Sequence, residues 1–92
     1  LHIRPNNVSF IKYLGIILTK IGNYEDAIST YKKALKIKPN CADIWNCLAS
    51  AFAMIGDLIN ALESLRKSLH IDPRNPETHN DLGSVLYNQK KN

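Results

Sequence analysis

Apolar residues recur at helical spacing in two separate stretches of the chain, with polar residues between them. The first stretch carries an apolar stripe at intervals of three and four residues: Ile11, Leu14, Leu18 and Ile21. The second repeats the stripe: Trp45, Leu48, Phe52 and Ile55. This spacing places the side chains on one face of an α-helix. The pattern therefore predicts two amphipathic helices of similar design, each with its stripe buried.

A second helix is predicted to follow each of these. Gly22 and Gly56 suit a left-handed helix end, and Asn23 and Asp57 directly after them can cap a new helix. Each cap is followed by another series of apolar residues at helical spacing, which in the first unit includes Ala27. The chain is therefore expected to consist of helix pairs, without strands.

The whole pattern repeats every 34 residues without insertion or deletion. Pro5, Pro39 and Pro73 fall in one column and end each unit, since proline cannot continue a helix. This register divides a single domain, residues 1–92, into the tail of a preceding unit (1–7), two whole units (8–41 and 42–75), and the first helix of another (76–92). Because Leu1 is not an initiator methionine, we expect the chain to be a piece of a longer array.

These columns resemble the tetratricopeptide repeat. The resemblance covers the whole chain and is carried by the following positions: Ile11, Leu14, Gly15, Leu18, Gly22, Tyr24, Ala27, Tyr31, Ala34 and Pro39, then Trp45, Leu48, Ala49, Phe52, Gly56, Ala61, Leu65 and Pro73. His79 departs from the pattern where Trp45 stands in the preceding unit, and Ser68 departs where Ala34 stands. The resemblance implies an all-α fold, an α-solenoid of antiparallel helix pairs in a right-handed superhelix.

Composition and charge narrow the functional class. A chain of 92 residues with 45% apolar content has room for one small core, which favours a binding module over an enclosed enzyme pocket. The net charge of +4 could indicate binding to nucleic acid. The lysines at positions 32, 33, 36 and 38 have no aromatic or arginine residues between them, so they are interpreted as a solvated helix face, and binding to nucleic acid is not expected. No apolar run approaches the roughly 20 residues of a membrane span.

We find no candidate for catalysis, for a metal or for a cofactor. The histidines at positions 2, 70 and 79 share no helical face with cysteines or paired carboxylates, and the glycines lie at helix contacts and ends. Cys41 and Cys47 have neither disulfide nor metal spacing, and are read as reduced thiols of a cytoplasmic or otherwise intracellular protein. The sequence favours a non-enzymatic protein that binds another protein.

The resemblance also implies where a partner would bind, since in this family the first helices of successive repeats line a concave groove that receives a peptide or a helix. The candidate groove residues are Lys12, Tyr13, Ile16, Asp43, Asn46, Cys47, Ser50, Glu77, Asn80, Asp81 and Ser84. The co-chaperone type, which grips a terminal carboxylate with basic and amide residues, is disfavoured. The positions that bind the carboxylate in that type hold here Lys12, Ile16, Cys47, Glu77 and Asp81. Only Lys12 fits, and the last two positions are acidic where basic residues are needed. The acidic half of the groove instead favours a basic or amidic ligand.

Alternative interpretations stay open at this point. The segment could be a regulatory or substrate-presenting arm of a larger enzyme, such as one resembling O-linked N-acetylglucosamine transferase, although the column Tyr13, Cys47, Asp81 lacks that family's asparagines. The dipeptide Trp45-Asn46 is similar to one in peroxisomal import receptors. Self-association is a third alternative, because the last half-unit would leave three apolar side chains without a covering helix: Leu82, Val85 and Leu86.

Overall fold

A computed structural model describes residues 7–91, which form five α-helices and no strand. In chain order they are α1 (Val8–Lys20), α2 (Tyr24–Ile37), α3 (Ala42–Met54), α4 (Leu58–Ile71) and α5 (Pro76–Lys91). The first helices of the units are α1, α3 and α5, and the second helices are α2 and α4. The predicted tail of a preceding unit falls almost entirely on residues 1–6, which lie outside the described part of the chain.

Asparagine and aspartate begin most of the helices, as their positions predict. The Asn7 side chain accepts the Phe10 amide, and Asp57 accepts the Asn60 amide, both at 3.2 Å. Asn75 accepts from two amides at the start of α5. Asn23 differs, because its side-chain amide donates to Asp26 at 2.7 Å and makes no cap bond to the backbone.

Glycine sets the turn between the two helices of each pair. Gly22 has a φ of 86° and Gly56 a φ of 82°, a region that side chains other than glycine enter only with strain. The next amide in each case turns back onto the first helix, from Asn23 to the Leu18 carbonyl at 2.8 Å and from Asp57 to Phe52 at 2.9 Å. The predicted left-handed helix ends are therefore confirmed.

Each pair packs through a small residue on its first helix and a large one on its second. A Cβ added at Gly15 would lie 2.8 Å from Cδ1 of Tyr31, whose side chain is only 2% exposed. In the following unit Ala49 takes the place of Gly15, and Leu65 takes the place of Tyr31. The smaller Leu65 side chain leaves room for the methyl group of Ala49, and both residues are buried.

On each first helix, the burial of one face depends on whether a described helix precedes it. Ile44, Leu48 and Ala51 of α3 are buried next to α2. The equivalent face of α1 consists of Phe10, Leu14, Ile17 and Ile21, which are between 40% and 71% exposed. The sequence pattern predicted Leu14 and Ile21 to be buried, and this is wrong because no described helix precedes α1. Ile55 is also exposed, at the end of α3.

The carboxyl-terminal half-unit is better covered than expected. Of its three apolar side chains, Val85 is 5% exposed and Leu82 is half-buried, because both lie on the side of α5 next to α4. Leu86, at 48% exposed, is the one that lacks a covering helix among the described residues. The prediction that all three would be uncovered is therefore wrong for Leu82 and Val85.

His79 preserves a contact of the tryptophan that it replaces. The indole Nε1 of Trp45 donates to the Pro39 carbonyl at 2.9 Å, and Nε2 of His79 lies 2.8 Å from the Pro73 carbonyl. Since a carbonyl only accepts, Nε2 of His79 donates in this hydrogen bond. Both side chains thus tie a first helix to the proline that ends the unit before it.

Candidate protein-binding surface

The three first helices lie side by side, since α3 contacts both α1 and α5. We call the surface that carries the predicted groove residues of these helices the first-helix surface. Its α1 and α3 parts are joined by Lys12 and Asp43, whose Nζ and Oδ2 atoms are 4.0 Å apart. The Asp43 side chain remains 69% exposed. An exposed ion pair of this length contributes at most about 1 kcal/mol to stability, so Asp43 stays available to a ligand.

Cys47 lies at the centre of this surface and is half-buried. Burial raises the pKa of its thiol, Lys12 opposes that rise, and Asp43 and Glu77 add to it. The thiol is also close to the Tyr31 hydroxyl, and burial likewise raises the pKa of Tyr31. A raised pKa keeps the thiol protonated near neutral pH, which fits a packing role and not a nucleophile.

The α5 end of the surface is acidic. Burial raises the pKa of Asp81, and the negative charge of Glu77 raises it further. Asp81 also lines a small cavity of about 110 Å³ together with Ser50 and Ser84. A carboxylate that is partly desolvated beside another carboxylate would be stabilised by a cation or by hydrogen-bond donors placed in this cavity.

The other predicted groove residues differ in accessibility. Tyr13 is 60% exposed, with Nζ of Lys12 5.7 Å from the centre of its ring. Ile16 is half-buried, whereas Ser50, Glu77, Asn80 and Ser84 are exposed. A ligand on this surface would therefore meet polar and charged groups for the most part.

Asn46 is the exception among the predicted residues, because it is only 5% exposed. Its side-chain oxygen accepts a hydrogen bond at 3.0 Å from Thr78, and the Thr78 hydroxyl lies 3.1 Å from that of Ser68. This hydrogen bond joins α3 to α5, and the assignment of Asn46 to a ligand-binding groove stays a prediction. Within the described residues its Nδ2 atom has no hydrogen-bond partner. Sequence periodicity missed this network because Thr78 stands in the column of Phe10 and Ile44, which are apolar.

Residues 7–91 offer no candidate for a metal site or for a membrane-spanning helix. No group of three or more histidine, cysteine, aspartate or glutamate residues there is arranged to hold a metal ion. None of the helices in this part of the chain is both long enough and apolar enough to cross a membrane.

The helix pairs, the positive-φ glycines between them and the side-by-side first helices define the chain as an α-solenoid repeat protein. A family model for the TPR repeat matches residues 15–56 and 55–90. The chain therefore belongs to the tetratricopeptide-repeat family, whose members are protein-interaction scaffolds.

Solved structures agree with this assignment. A crystal structure of MamA is 28% identical, with a TM-score of 0.87 over 94% of this chain and 50% of that one. A second crystal structure of MamA protein is also 28% identical, with a TM-score of 0.83 over 92% of this chain and 46% of the other. The chain thus spans about half the length of these two structures. A comparison with curated proteins gives no match.

Proposed function

We propose that the chain is a non-catalytic scaffold whose first-helix surface binds a basic or amide-rich segment of a partner protein. The observation that carries the proposal is the sign of the charge on that surface. Asp43, Glu77 and Asp81 lie along it against the single cation of Lys12, although the chain as a whole has a net charge of +4.

The raised pKa of Asp81 supports the choice of ligand. Burial and the neighbouring Glu77 both disfavour its ionised form. A lysine or arginine of a ligand would offset both effects, because an opposite charge within about 4–6 Å favours the ionised carboxylate. A ligand carboxylate would instead be repelled, by about 1–4 kcal/mol at 4 Å for effective dielectrics between those of water and a protein surface.

The buried position of Asn46 bears on the alternatives. The peroxisomal-import-receptor interpretation rests on the dipeptide Trp45-Asn46. The Asn46 side chain is 5% exposed and accepts from Thr78, so it is not accessible to cargo in this arrangement. The interpretation as an arm of a larger enzyme gains no support from a specific contact, and the interaction scaffold is the function that we put forward.

An array of short peptides that differ only in charge tests the proposal. We expect basic and amidic peptides to be retained and acidic ones to bind weakly to this surface. Replacing Asp43 and Glu77 by lysine should abolish the preference for basic peptides. The matched control for Glu77→Lys alone is Glu25→Lys, which reverses an exposed carboxylate in the first turn of α2 and should leave the preference unchanged. Equal retention of basic and acidic peptides, or an equal effect of the Glu25 variant, would remove the idea.

A further inference from the structure

The two second helices leave a cleft between them. The Cα atoms of α2 and α4 stay more than 8 Å apart along their whole described lengths, and α3 lies beneath the gap. Trp45, Leu48 and Phe52 of α3 supply its apolar floor. A cavity of about 400 Å³ occupies the cleft, and a second of about 380 Å³ lies between α4 and the residues that follow α2; both are lined by Trp45, Glu63 and Lys67. Because they share these residues, they adjoin, and we call them together the second-helix groove.

The charge of this groove is opposite in sign to that of the first-helix surface. Its walls carry four cations, Lys32 and Lys36 from α2 and Arg66 and Lys67 from α4. Glu63 is the one carboxylate among the residues that line it. Lys32 and Lys36, which sequence periodicity assigns to a solvated face, thus border a defined apolar cleft.

Two of these lysines border the aromatic rings of the floor. Nζ of Lys67 is 4.8 Å from the centre of the Trp45 ring, and Nζ of Lys32 is 5.7 Å from that of Phe52. Aromatic and aliphatic surface bordered by cations presents two complementary features to a ligand: an apolar floor and positive charges at its rim. A peptide with an apolar side chain between carboxylates would satisfy both at once.

We propose that the second-helix groove binds a short acidic segment of a partner protein. An apolar side chain of that segment packs on Trp45 and Phe52, and flanking carboxylates pair with Lys32, Lys36 and Lys67. The argument rests on the charge and apolar floor of this cleft and does not depend on what the first-helix surface binds. The volumes of the two cavities fall in the usual range for pre-formed ligand sites, about 300–1,000 Å³.

The chain carries its own probe for this site, because Trp45 is its single tryptophan and forms part of the floor. Short synthetic peptides without tryptophan, with glutamates around a central leucine or phenylalanine, are titrated into the 92-residue chain at low salt. We expect a saturable change in Trp45 emission, weakened by added salt because the pairing charges are partly exposed. Basic peptides of the same length should leave the emission unchanged.

Charge variants separate this site from general attraction to a cationic protein. Lys32→Glu with Lys36→Glu should weaken binding of the acidic peptide at least about tenfold, since two attractions become repulsions at short range. The matched control is Lys33→Glu with Lys38→Glu, two lysines that do not line the groove but change the net charge equally. Glu63→Gln should have the opposite effect and strengthen binding. Circular dichroism verifies that each variant keeps its helices.

Three results would overturn the proposal: no emission change with the acidic peptides, equal weakening by the two pairs of lysine variants, or weaker binding by Glu63→Gln. None of them bears on basic peptides at the first-helix surface. Failure of this site is therefore distinguishable from failure of the proposed function.

Discussion

The contact between Gly15 and Tyr31 gives a prediction that depends on the repeat register and on atomic distances together. In Gly15→Ala, the new methyl group would lie 2.8 Å from both Cδ1 and Cζ of Tyr31. The ring is 2% exposed and its hydroxyl is 3.3 Å from that of Thr19, so it cannot move without disturbing other contacts. Overpacking of this kind costs about 1–3 kcal/mol.

Two smaller effects modify that cost. Alanine in a helix interior gains about 0.5–1 kcal/mol over glycine, and loss of the Tyr31–Thr19 hydrogen bond costs about 0.5–1.5 kcal/mol. These nearly cancel, so the expected net destabilisation of Gly15→Ala is about 1–3 kcal/mol. For a domain of this size that lowers Tm by at least about 4 °C. Urea unfolding followed by circular dichroism measures the change.

The repeat supplies both a control and a rescue. Gly83 occupies the same column in α5, and an added Cβ there meets no atom of another helix within 4 Å in the described chain. Gly83→Ala should therefore stabilise by about 0.5–1 kcal/mol. Combining Gly15→Ala with Tyr31→Leu recreates the Ala49–Leu65 pair, and should be less destabilising than the sum of the single changes by about 1 kcal/mol or more. If Gly15→Ala were as stabilising as Gly83→Ala, the packing account would be refuted.

Three further predictions concern other parts of the chain. Thr78→Val leaves buried polar atoms unpaired and should lower the free energy of unfolding by about 1–3 kcal/mol. Thr30→Val, which removes an exposed hydrogen bond within α2, should change it by less than about 0.5 kcal/mol in urea unfolding. Asp81→Asn should stabilise the chain at pH 7. The pKa of Asp81 is raised in the folded chain, so its protonation stabilises the fold. That stabilisation is fully present below pH 3.8 and is lost as the pH rises through the folded pKa. A pH series of melting curves that is the same for Asp81→Asn as for the unchanged chain would contradict this. In sedimentation at high concentration, Ile17→Glu should reduce self-association more than Leu86→Glu, because Ile17 lies within the larger apolar face.

Much of the fold is predictable from the chain because its signals are local. A glycine with positive φ, a capping asparagine and a proline each act within a few residues, and the 34-residue register shows where they recur. Burial is less local. Ile17 and Ala51 share a column, yet only Ala51 is buried, because only α3 has a described helix before it.

The binding surfaces are harder to predict for the same reason. Periodicity places Asn46 on a first helix beside true surface residues, but a hydrogen bond from Thr78, which is 32 positions later, draws it into the packing. The second-helix groove joins residues of α2, α3 and α4, and no spacing within one helix indicates it. In the sequence, Lys32 and Lys36 have the same pattern as lysines on a solvated helix face. Only the cleft between the helices shows that they line a groove.

The most direct test of the proposed function is a nuclear magnetic resonance titration of the isotopically labelled 92-residue chain with a lysine-rich peptide. The account predicts that the amide shifts which change most lie in α1, α3 and α5, around Lys12, Asp43, Cys47, Glu77 and Asp81, and that Glu77→Lys suppresses them. Shifts confined to α2 and α4, or no shifts at concentrations where the peptide array shows retention, would contradict it.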